Sequence, residues 1–254
     1  MLEGGARKYF AKINDRAQLD NFAAEADGLA ALAAAGVRVP APLCRGEGSG
    51  QAFLVLEYLE MRASGGFGAL GRALAHLHSN RGEFFGWRRD NYIGRTPQSN
   101  RSSPTWIEFW LDSRLVPQLE LGKKNDLGAT LLGKSERLAD LVPRLLSGHS
   151  PAPSLLHGDL WSGNASFLAD GAPVLFDPAV YWGDRETDLA MTELFGGFPP
   201  AFYSAYAEIV PLDRAYGMRK TLYNLYHVLN HANLFGGSYA SQAERMIDKL
   251  LAQV

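Results

Sequence analysis

The chain contains little cysteine, little net charge and no long apolar run. Its 254 residues include one cysteine, Cys44, which cannot form a disulfide within the chain and is expected to be an inert thiol. The formal net charge of -2 gives no electrostatic reason to expect nucleic acid or an anionic membrane as a partner. No stretch of about 20 apolar residues is available to cross a bilayer. With no signal-peptide pattern at the start, these absences favour a globular protein in a reducing cytoplasm.

Strand signals dominate the beginning of the chain. Residues 6–14 alternate between apolar and polar, as half-buried strands do, and a strand pair is predicted within 43–59 around the turn Gly48-Ser49-Gly50. The run 53–56 is apolar throughout, which places its strand in the middle of a sheet. Between these strands, apolar residues at helical spacing predict a helix that ends at Gly36.

Helical spacing dominates the rest of the chain, apart from a long loop predicted at 84–100 and a short hairpin near Asp170-Gly171. Helices are predicted from Ser64 onward, over 105–121 and 127–146, and, with breaks, over 185–254. We therefore predict an α+β fold with two lobes. Residues 1–59 form a small antiparallel-sheet N-lobe that ends in a hinge, and residues 60–254 form a large helical C-lobe. A ligand cleft is expected between the lobes.

The strongest chemical signal is the segment 157–164, His-Gly-Asp-Leu-Trp-Ser-Gly-Asn, which has the pattern H-x-D-x-x-x-x-N. In kinases with this pattern, the aspartate orients the acceptor hydroxyl and takes its proton, while the asparagine holds a metal ion. We therefore predict Asp159 as the catalytic residue. The alternative is that Asp159 and Asn164 are turn formers, since such residues favour turns.

A second acid, Asp177, follows Asn164 by 13 residues. Two short antiparallel strands joined at Asp170-Gly171 fill this spacing and return the chain to its start, so Asp177 is expected beside Asn164. Carboxylate and amide oxygens suit Mg²⁺, which prefers oxygen ligands. Asn164 and Asp177 are therefore the predicted metal ligands.

Three further residues fit the kinase arrangement. Lys12 lies on an early predicted strand and Glu25 on the following helix, as do the lysine that contacts the nucleotide phosphates and the glutamate that positions it. At the place of Asp188 in kinase-like folds, a helix aspartate accepts backbone N–H bonds from the catalytic loop. Each of the three alone is equally typical of a solvated surface residue or of an acid at a helix N-terminus.

Several segments resemble the fructosamine kinase (ketosamine-3-kinase) family, whose fold is protein-kinase-like and close to that of aminoglycoside phosphotransferases. The tryptophan within 157–164 and the late Asn-His-Ala-Asn are the most discriminating of these. The segments are 85–87, 90–94, 96–100, 106–110, Arg114-Leu115, 157–164, 177–181, 194–198 and 230–237.

The resemblance implies ATP- and Mg²⁺-dependent phosphorylation of the sugar 3-hydroxyl of ketoamines, namely fructosamines, ribulosamines or erythrulosamines. The amine is a small molecule or belongs to a glycated protein, and phosphorylation leads to its release. The resemblance further implies that the Glu57 carbonyl and the Leu59 amide pair with adenine. It also places Trp161 and His231 in the acceptor pocket. His76, His78, His149 and His227 are interpreted as structural.

In the family, a strand, a glycine-containing phosphate loop and a second strand precede the lysine strand. Here 11 residues precede Lys12, too few for two strands of about five residues and a loop. We therefore expect Gly4-Gly5 to be a hairpin turn, and we expect the chain to be N-terminally truncated, without the first strands and the phosphate loop.

Two other functions remain open. One is an aminoglycoside- or choline-kinase-like phosphotransferase, although the acids Glu186, Glu193 and Glu208 form no obvious cluster for a cationic acceptor. The other, motivated by the missing phosphate loop, is a nucleotide-binding protein with impaired catalysis.

Overall fold

The first strands of the chain form one antiparallel sheet. The computed structural model describes residues 2–4 and 7–253. Its first four strands are β1 (Leu2–Gly4), β2 (Arg7–Asp15), β3 (Pro42–Gly48) and β4 (Gln51–Glu57). They pair in the order β1-β2-β4-β3, so the apolar strand β4 is internal, as predicted. Strands β1 and β2 pair antiparallel, and Gly5 of the predicted turn between them lies outside the described residues.

The turn between β3 and β4 follows from its residue types. Ser49 and Gly50 connect the strands, with φ angles of 52° and 78°. Two consecutive positive φ angles are typical of two-residue hairpin turns, in which glycine carries no steric cost.

One helix, α1 (Leu19–Ala34), lies between β2 and β3 and packs against β3 and β4. The chain enters it through a short turn at which the Asp15 carboxylate accepts a hydrogen bond from the Ala17 N–H. Gly36, with φ of 84°, follows the helix where the chain reverses into an extended segment.

The remaining chain is mainly helical, as predicted, with three pairs of short strands between the helices. The helices are α2 (Phe67–His78), α3 (Trp106–Trp110), α4 (Val116–Lys124), α5 (Ala129–Leu145), α6 (Glu186–Thr192), α7 (Pro200–Ile209), α8 (Tyr216–Phe235) and α9 (Ser238–Leu251). The short strands are β5 (Asn91–Ile93), β6 (Thr96–Gln98), β7 (Ser154–Leu156), β8 (Ala165–Phe167), β9 (Pro173–Leu175) and β10 (Tyr181–Gly183). A π-helical turn at Leu111–Leu115 separates α3 from α4, where one continuous helix was predicted.

The segment 84–100 is more ordered than the loop predicted for it. Strands β5 and β6 form a hairpin, and buried side-chain amides hold it in place. The Gln98 amide N–H donates to Asn91 Oδ1 at 2.8 Å, and the Asn91 amide N–H donates to the Val180 carbonyl at 2.8 Å. The second of these bonds joins residues 89 positions apart in sequence, so no local periodicity could reveal it.

Two clusters of buried apolar side chains form the core. One joins α1 and β4 to α2, α7 and the segments after residue 155, so the sheet-bearing and helical parts share it. The other lies among α3, α5, α8 and α9. Among the described residues, no helix combines the length and the apolar character needed to cross a bilayer.

The β5–β6 region also fastens α1 to the helical part. The Trp87 indole N–H donates to Asp27 at 2.8 Å, and the Arg88 guanidinium pairs with the same carboxylate. The Asn21 amide N–H donates to the Gly94 carbonyl at 3.1 Å. Helix α1 is therefore held on both its sheet side and its hairpin side.

We predict that Asp27→Ala lowers the free energy of unfolding by about 1–2 kcal/mol, because it leaves the half-buried indole N–H without its acceptor. Urea denaturation measures the change, and amide hydrogen exchange in α1 should accelerate. Glu120→Ala, which removes an exposed ion pair with Lys123, is the control and should cost less than about 0.5 kcal/mol. Equal effects of the two substitutions would contradict this role of Asp27.

Candidate active site

Five residues predicted from the sequence meet in one cavity. Lys12 on β2, Glu25 on α1, Asp159 and Asn164 of the 157–164 loop, and Asp177 all line a cleft of about 250 Å³ between the sheet and the helices. This convergence comes from four separate segments of the chain.

The ammonium of Lys12 joins the two sides of this central cleft. It donates to Glu25 Oε1 at 2.8 Å and also pairs with Asp177 Oδ1. Burial lowers the pKa of Lys12, but the two carboxylates outweigh burial, so the pKa lies above its ordinary value. Burial also raises the pKa of Glu25, and its bond with Lys12 only partly offsets that effect. Lys12 therefore stays protonated at neutral pH.

Asp188 of α6 anchors the start of the 157–164 loop through hydrogen bonds to the backbone. Its carboxylate accepts the backbone N–H of His157 at 2.7 Å and that of Gly158 at 2.8 Å, and it lies 3.1 Å from His78 Nε2. Burial opposes the ionisation of Asp188, but these donors outweigh it and the pKa of Asp188 lies below its ordinary value. A buried carboxylate therefore fixes the backbone immediately before Asp159.

Gly158 is required by a close approach of two backbone segments. Its φ is 83°, and a Cβ at this position would lie 2.0 Å from the Ala179 carbonyl oxygen. The Ala179 N–H donates to the His157 carbonyl at 2.8 Å, which draws the two segments together. Any side chain at residue 158 would separate the loop from the segment that carries Asp177.

Asp177 lies beside Asn164, where the hairpin spacing predicts it. Strands β8 and β9 pair antiparallel, and the Phe176 N–H donates to the Asn164 carbonyl at 3.1 Å. Asp177 itself has φ of 55°, a left-handed conformation that aspartate tolerates better than most residues. On its other side, Pro178 packs against Gly28 of α1, where a Cβ would lie 3.0 Å from the proline ring.

The Asp159 carboxylate is poorly solvated and lines the central cleft. The Asn164 amide N–H donates to the Asp159 carbonyl at 2.8 Å and to its Oδ2 at 3.2 Å. Burial raises the pKa of Asp159 to about 7, with a further increase from Asp177, against the lowering effect of Asn164. A carboxyl with a pKa near neutrality is suited to taking a proton from a hydroxyl.

The residues present fit a divalent cation. The central cleft is lined by three carboxylates, those of Glu25, Asp159 and Asp177, against the single ammonium of Lys12. The Asn164 amide N–H groups point towards Asp159, which leaves Asn164 Oδ1 free to bind a cation. Within residues 7–253, no donor contacts Asn164 Oδ1. A negative, oxygen-rich cleft suits Mg²⁺.

A second cavity, of about 370 Å³, opens from the central cleft along β4. It shares Lys12 and Asp177 with the central cleft, and its other walls are mostly apolar. They are formed by Phe10, Pro40, Leu56, Glu57, Tyr58, Leu59, Met61 and Phe176. In the described part of the chain, no acceptor lies within hydrogen-bonding distance of the Leu59 N–H. The Glu57 carboxylate is turned aside and pairs with both terminal nitrogens of Arg38 at 2.6 and 2.7 Å.

A third cavity of about 320 Å³, the aromatic cavity, shares Asp159, Trp161 and Gly94 with the central cleft and shares no lining residue with the cavity along β4. Aromatic rings form much of its wall. The ring centroids of Phe195 and His231 are 5.0 Å apart, as are those of His231 and Tyr239. Trp161 packs edge-on against Phe195 at 6.1 Å. Among the described residues, Asp159 is the only acid that lines this cavity.

Sequence reasoning did not assign several residues that line these cavities. Asn21, Tyr92 and Gly94 face the central cleft, while His227, Phe195 and Tyr239 line the third cavity. Some belong to segments that carry the family resemblance, but none has the spacing of a catalytic motif. Their proximity to Asp159 depends on the β5–β6 hairpin and on the position of α8.

The fructosamine kinase family model matches residues 1–253 of the chain. A relative named probable ketoamine kinase from Synechocystis is 48% identical, with 98% of this chain and 85% of the relative covered. A chloroplastic protein-ribulosamine 3-kinase from rice is 42% identical over 97% of this chain and 73% of its own length.

Solved structures with a similar fold include a member of the same family. A fructosamine-3-kinase candidate from Haemophilus somnus 129PT superposes with a TM-score of 0.88 at 35% identity, covering 97% of this chain and 84% of the other. The choline kinase LicA of Streptococcus pneumoniae has a TM-score of 0.68 at 16% identity, covering 99% and 88% of the two chains, and shows the shared fold alone. The predicted protein-kinase-like α+β fold is confirmed.

The pKa of Asp159 leads to a test of its environment. The pKa of Asp159 is about 7 in the folded protein and about 3.9 in the unfolded chain. Between about pH 4 and pH 7 the folded protein therefore binds more protons than the unfolded chain, so the free energy of unfolding falls as the pH rises through this range. We predict that Asp159→Asn stabilises the metal-free protein by about 2 kcal/mol at pH 8 and that the gain vanishes towards pH 4. Carbon NMR of the Asp159 carboxyl should show a midpoint near 7. A midpoint near 4, with no pH-dependent gain in the variant, would contradict the assigned environment.

Proposed function

The chain belongs to the fructosamine kinase family, and from this membership and the geometry of the cleft we propose that it transfers the γ-phosphoryl group of ATP to the sugar 3-hydroxyl of ketoamines. The acceptors are fructosamines, ribulosamines or erythrulosamines, free or on a glycated protein. The phosphorylated product breaks down to release the amine, which amounts to deglycation. The proposed location is the cytoplasm, where ATP and Mg²⁺ are supplied.

The observation that carries this proposal is that two separate cavities adjoin the central cleft through different residues. The cavity along β4 shares Lys12 and Asp177 with the central cleft, and the aromatic cavity shares Asp159 and Trp161 with it. A nucleotide in the first cavity and an acceptor in the third would therefore meet at the charged cleft between them. Phosphoryl transfer needs this positioning more than it needs covalent chemistry by the protein.

In the proposed mechanism, Lys12 contacts the nucleotide phosphates and Glu25 holds the ammonium in place. Asp159 orients the acceptor hydroxyl and takes its proton as the new oxygen–phosphorus bond forms and the bond to the departing ADP breaks. Asn164 and Asp177 would hold Mg²⁺, which neutralises phosphate charge when bound. Asp188 acts indirectly, because its hydrogen bonds to the His157 and Gly158 N–H groups fix the backbone that precedes Asp159.

The adenine is proposed to lie in the cavity along β4. Its apolar walls suit the base, and both Glu57 and Leu59 line it, which supports the Leu59 N–H and the Glu57 carbonyl as the proposed hydrogen-bonding partners of adenine. The N-lobe, residues 1–59, then serves the nucleotide, and the C-lobe, residues 60–254, serves the acceptor.

The acceptor is proposed to contact Trp161 and His231 in the aromatic cavity. Aromatic faces suit the C–H surface of a sugar, and a histidine can bond its hydroxyls. The aromatic cavity offers fewer carboxylates than a polycationic aminoglycoside would need. Glu186 pairs with Arg219, Glu193 pairs with Lys220, and neither they nor Glu208 line the cavity.

A panel of acceptors tests the proposal. ATP consumption is measured with Mg²⁺ and lysine-derived ribulosamine, fructosamine and erythrulosamine, and with choline and an aminoglycoside. Turnover with ketoamines alone, lost on chelation of Mg²⁺, is the expected result. Turnover only with choline or the aminoglycoside would favour another phosphotransferase, and nucleotide binding without any turnover would favour a nucleotide-binding protein.

We predict that Asp159→Ala lowers kcat by at least about 100-fold, since it removes the group that takes the proton. Binding of Mg-ATP, followed by calorimetry, should stay within about threefold of the wild-type value, because Asp159 serves the acceptor side. Retained turnover would exclude Asp159 as the base.

We predict that Asp177→Ala weakens Mg-ATP binding by about 10-fold or more, because a charged ligand of the metal is lost. Asp140→Ala, at an exposed position on α5, is the matched control and should leave the affinity unchanged. Unchanged calorimetric affinity in the Asp177 variant would argue against its assignment as a metal ligand.

A further inference from the structure

His227 on α8 is buried, 5% exposed, and lines the aromatic cavity. Its Nδ1 is buried without a hydrogen-bonding partner. Within residues 7–253, Nε2 also has no partner, so it is the ring nitrogen left to face the cavity. The His227 backbone carbonyl accepts a hydrogen bond from His231 Nδ1–H at 2.8 Å. The two residues are four positions apart, so their rings lie on the same face of α8.

This lack of partners sets His227 apart from the other buried histidines. His78 contacts both Tyr206 and Asp188, at 2.8 and 3.1 Å. His157 contacts the Phe176 carbonyl at 3.0 Å. An unpaired buried polar group is destabilising, so a purely structural position would favour an apolar side chain.

The surroundings of His227 define what Nε2 can bind. Asp159 and Trp161 line the same cavity, with Met191, Phe195 and Leu234 among its apolar walls. Burial, and secondarily the neighbouring His231, lower the pKa of His227 to about 3, so the ring is neutral. A neutral ring nitrogen in an apolar wall suits an uncharged hydroxyl rather than a carboxylate or a phosphate.

We propose that Nε2 of His227 hydrogen-bonds a hydroxyl of the acceptor sugar other than the reacting one, which makes His227 a specificity-determining residue. This inference rests on the proposed function. It places the sugar at the inner wall formed by α8, with its reactive hydroxyl towards Asp159, and leaves the amine and its substituent on the open side of the cavity. Exposed Phe235, at 62% exposure, lies on that rim.

The test compares each ketoamine with analogues that lack one non-reacting hydroxyl. In the wild-type protein, loss of the hydroxyl that meets His227 should lower kcat/KM by about 10- to 100-fold. In His227→Phe, kcat/KM for the full ketoamine should fall to the level of that deoxy analogue, and the discrimination between the two should approach 1. KM for Mg-ATP should not change. His227→Gln, whose amide can reach the position of Nε2, should restore part of the discrimination.

Stability separates this role from a structural one. Because His227→Phe removes an unpaired buried polar group, its Tm should equal or exceed the wild-type value. His149→Phe, which breaks a contact of 2.6 Å with Asp184, is the control and should lower Tm without altering the discrimination between hydroxyl and deoxy acceptors.

The failures of the two proposals are distinguishable. Wild-type turnover with ketoamines, but equal discrimination in the wild-type and His227→Phe proteins for every deoxy analogue, would overturn the inference alone. Absence of wild-type turnover with all ketoamines would overturn the proposed function, and the role of His227 with it.

Discussion

One ammonium group, that of Lys12, organises the cleft. It bonds Glu25 of α1 and pairs with Asp177, which stands beside the 157–164 loop, so a single positive charge links the sheet, its helix and the helical part of the chain. The carboxylates of Glu25 and Asp177 both contact this ammonium and keep it charged. Two carboxylates face one ammonium, so the cluster has an excess of negative charge. A Mg-nucleotide would bring both the cation that Asp177 can bind and the phosphates that Lys12 can bind. In the proposed function, binding of the Mg-nucleotide would replace the contact between Lys12 and Asp177 with contacts to the ligand.

The central cleft and the aromatic cavity each contain a group whose placement lowers the stability of the fold. Asp159 is held where its ionised form is poorly solvated, and His227 is buried without partners for its ring nitrogens. The surrounding structure compensates with well-satisfied groups, above all the Asp188 carboxylate, whose oxygens are occupied by the His157 and Gly158 amides and His78. Unsatisfied groups beside satisfied ones are typical of sites adapted to a ligand rather than to folding alone.

Local patterns were sufficient for much of this structure. The turn at Ser49-Gly50 and the hairpin that returns Asp177 to Asn164 follow from residue types and spacing, because each is settled by contacts close in sequence. The central position of β4 follows from its uninterrupted apolar run. The β5–β6 hairpin was missed because the buried amides of Asn91 and Gln98 hold its three-residue strands through distant partners, the Val180 carbonyl and the Tyr226 hydroxyl. His227 was interpreted as structural, since a helical histidine carries no sign in the sequence of whether its nitrogens find partners. The catalytic and binding roles of the site residues remain predictions.

The central claim is that this cleft directs a phosphoryl group to one hydroxyl of a ketoamine. The most direct measurement is NMR of the product formed from ATP and a ribulosamine labelled with ¹³C at sugar carbon 3. The account predicts a new phosphate ester signal coupled to the labelled carbon. An ester on another carbon, or ADP and inorganic phosphate without any phosphorylated ketoamine, would contradict it.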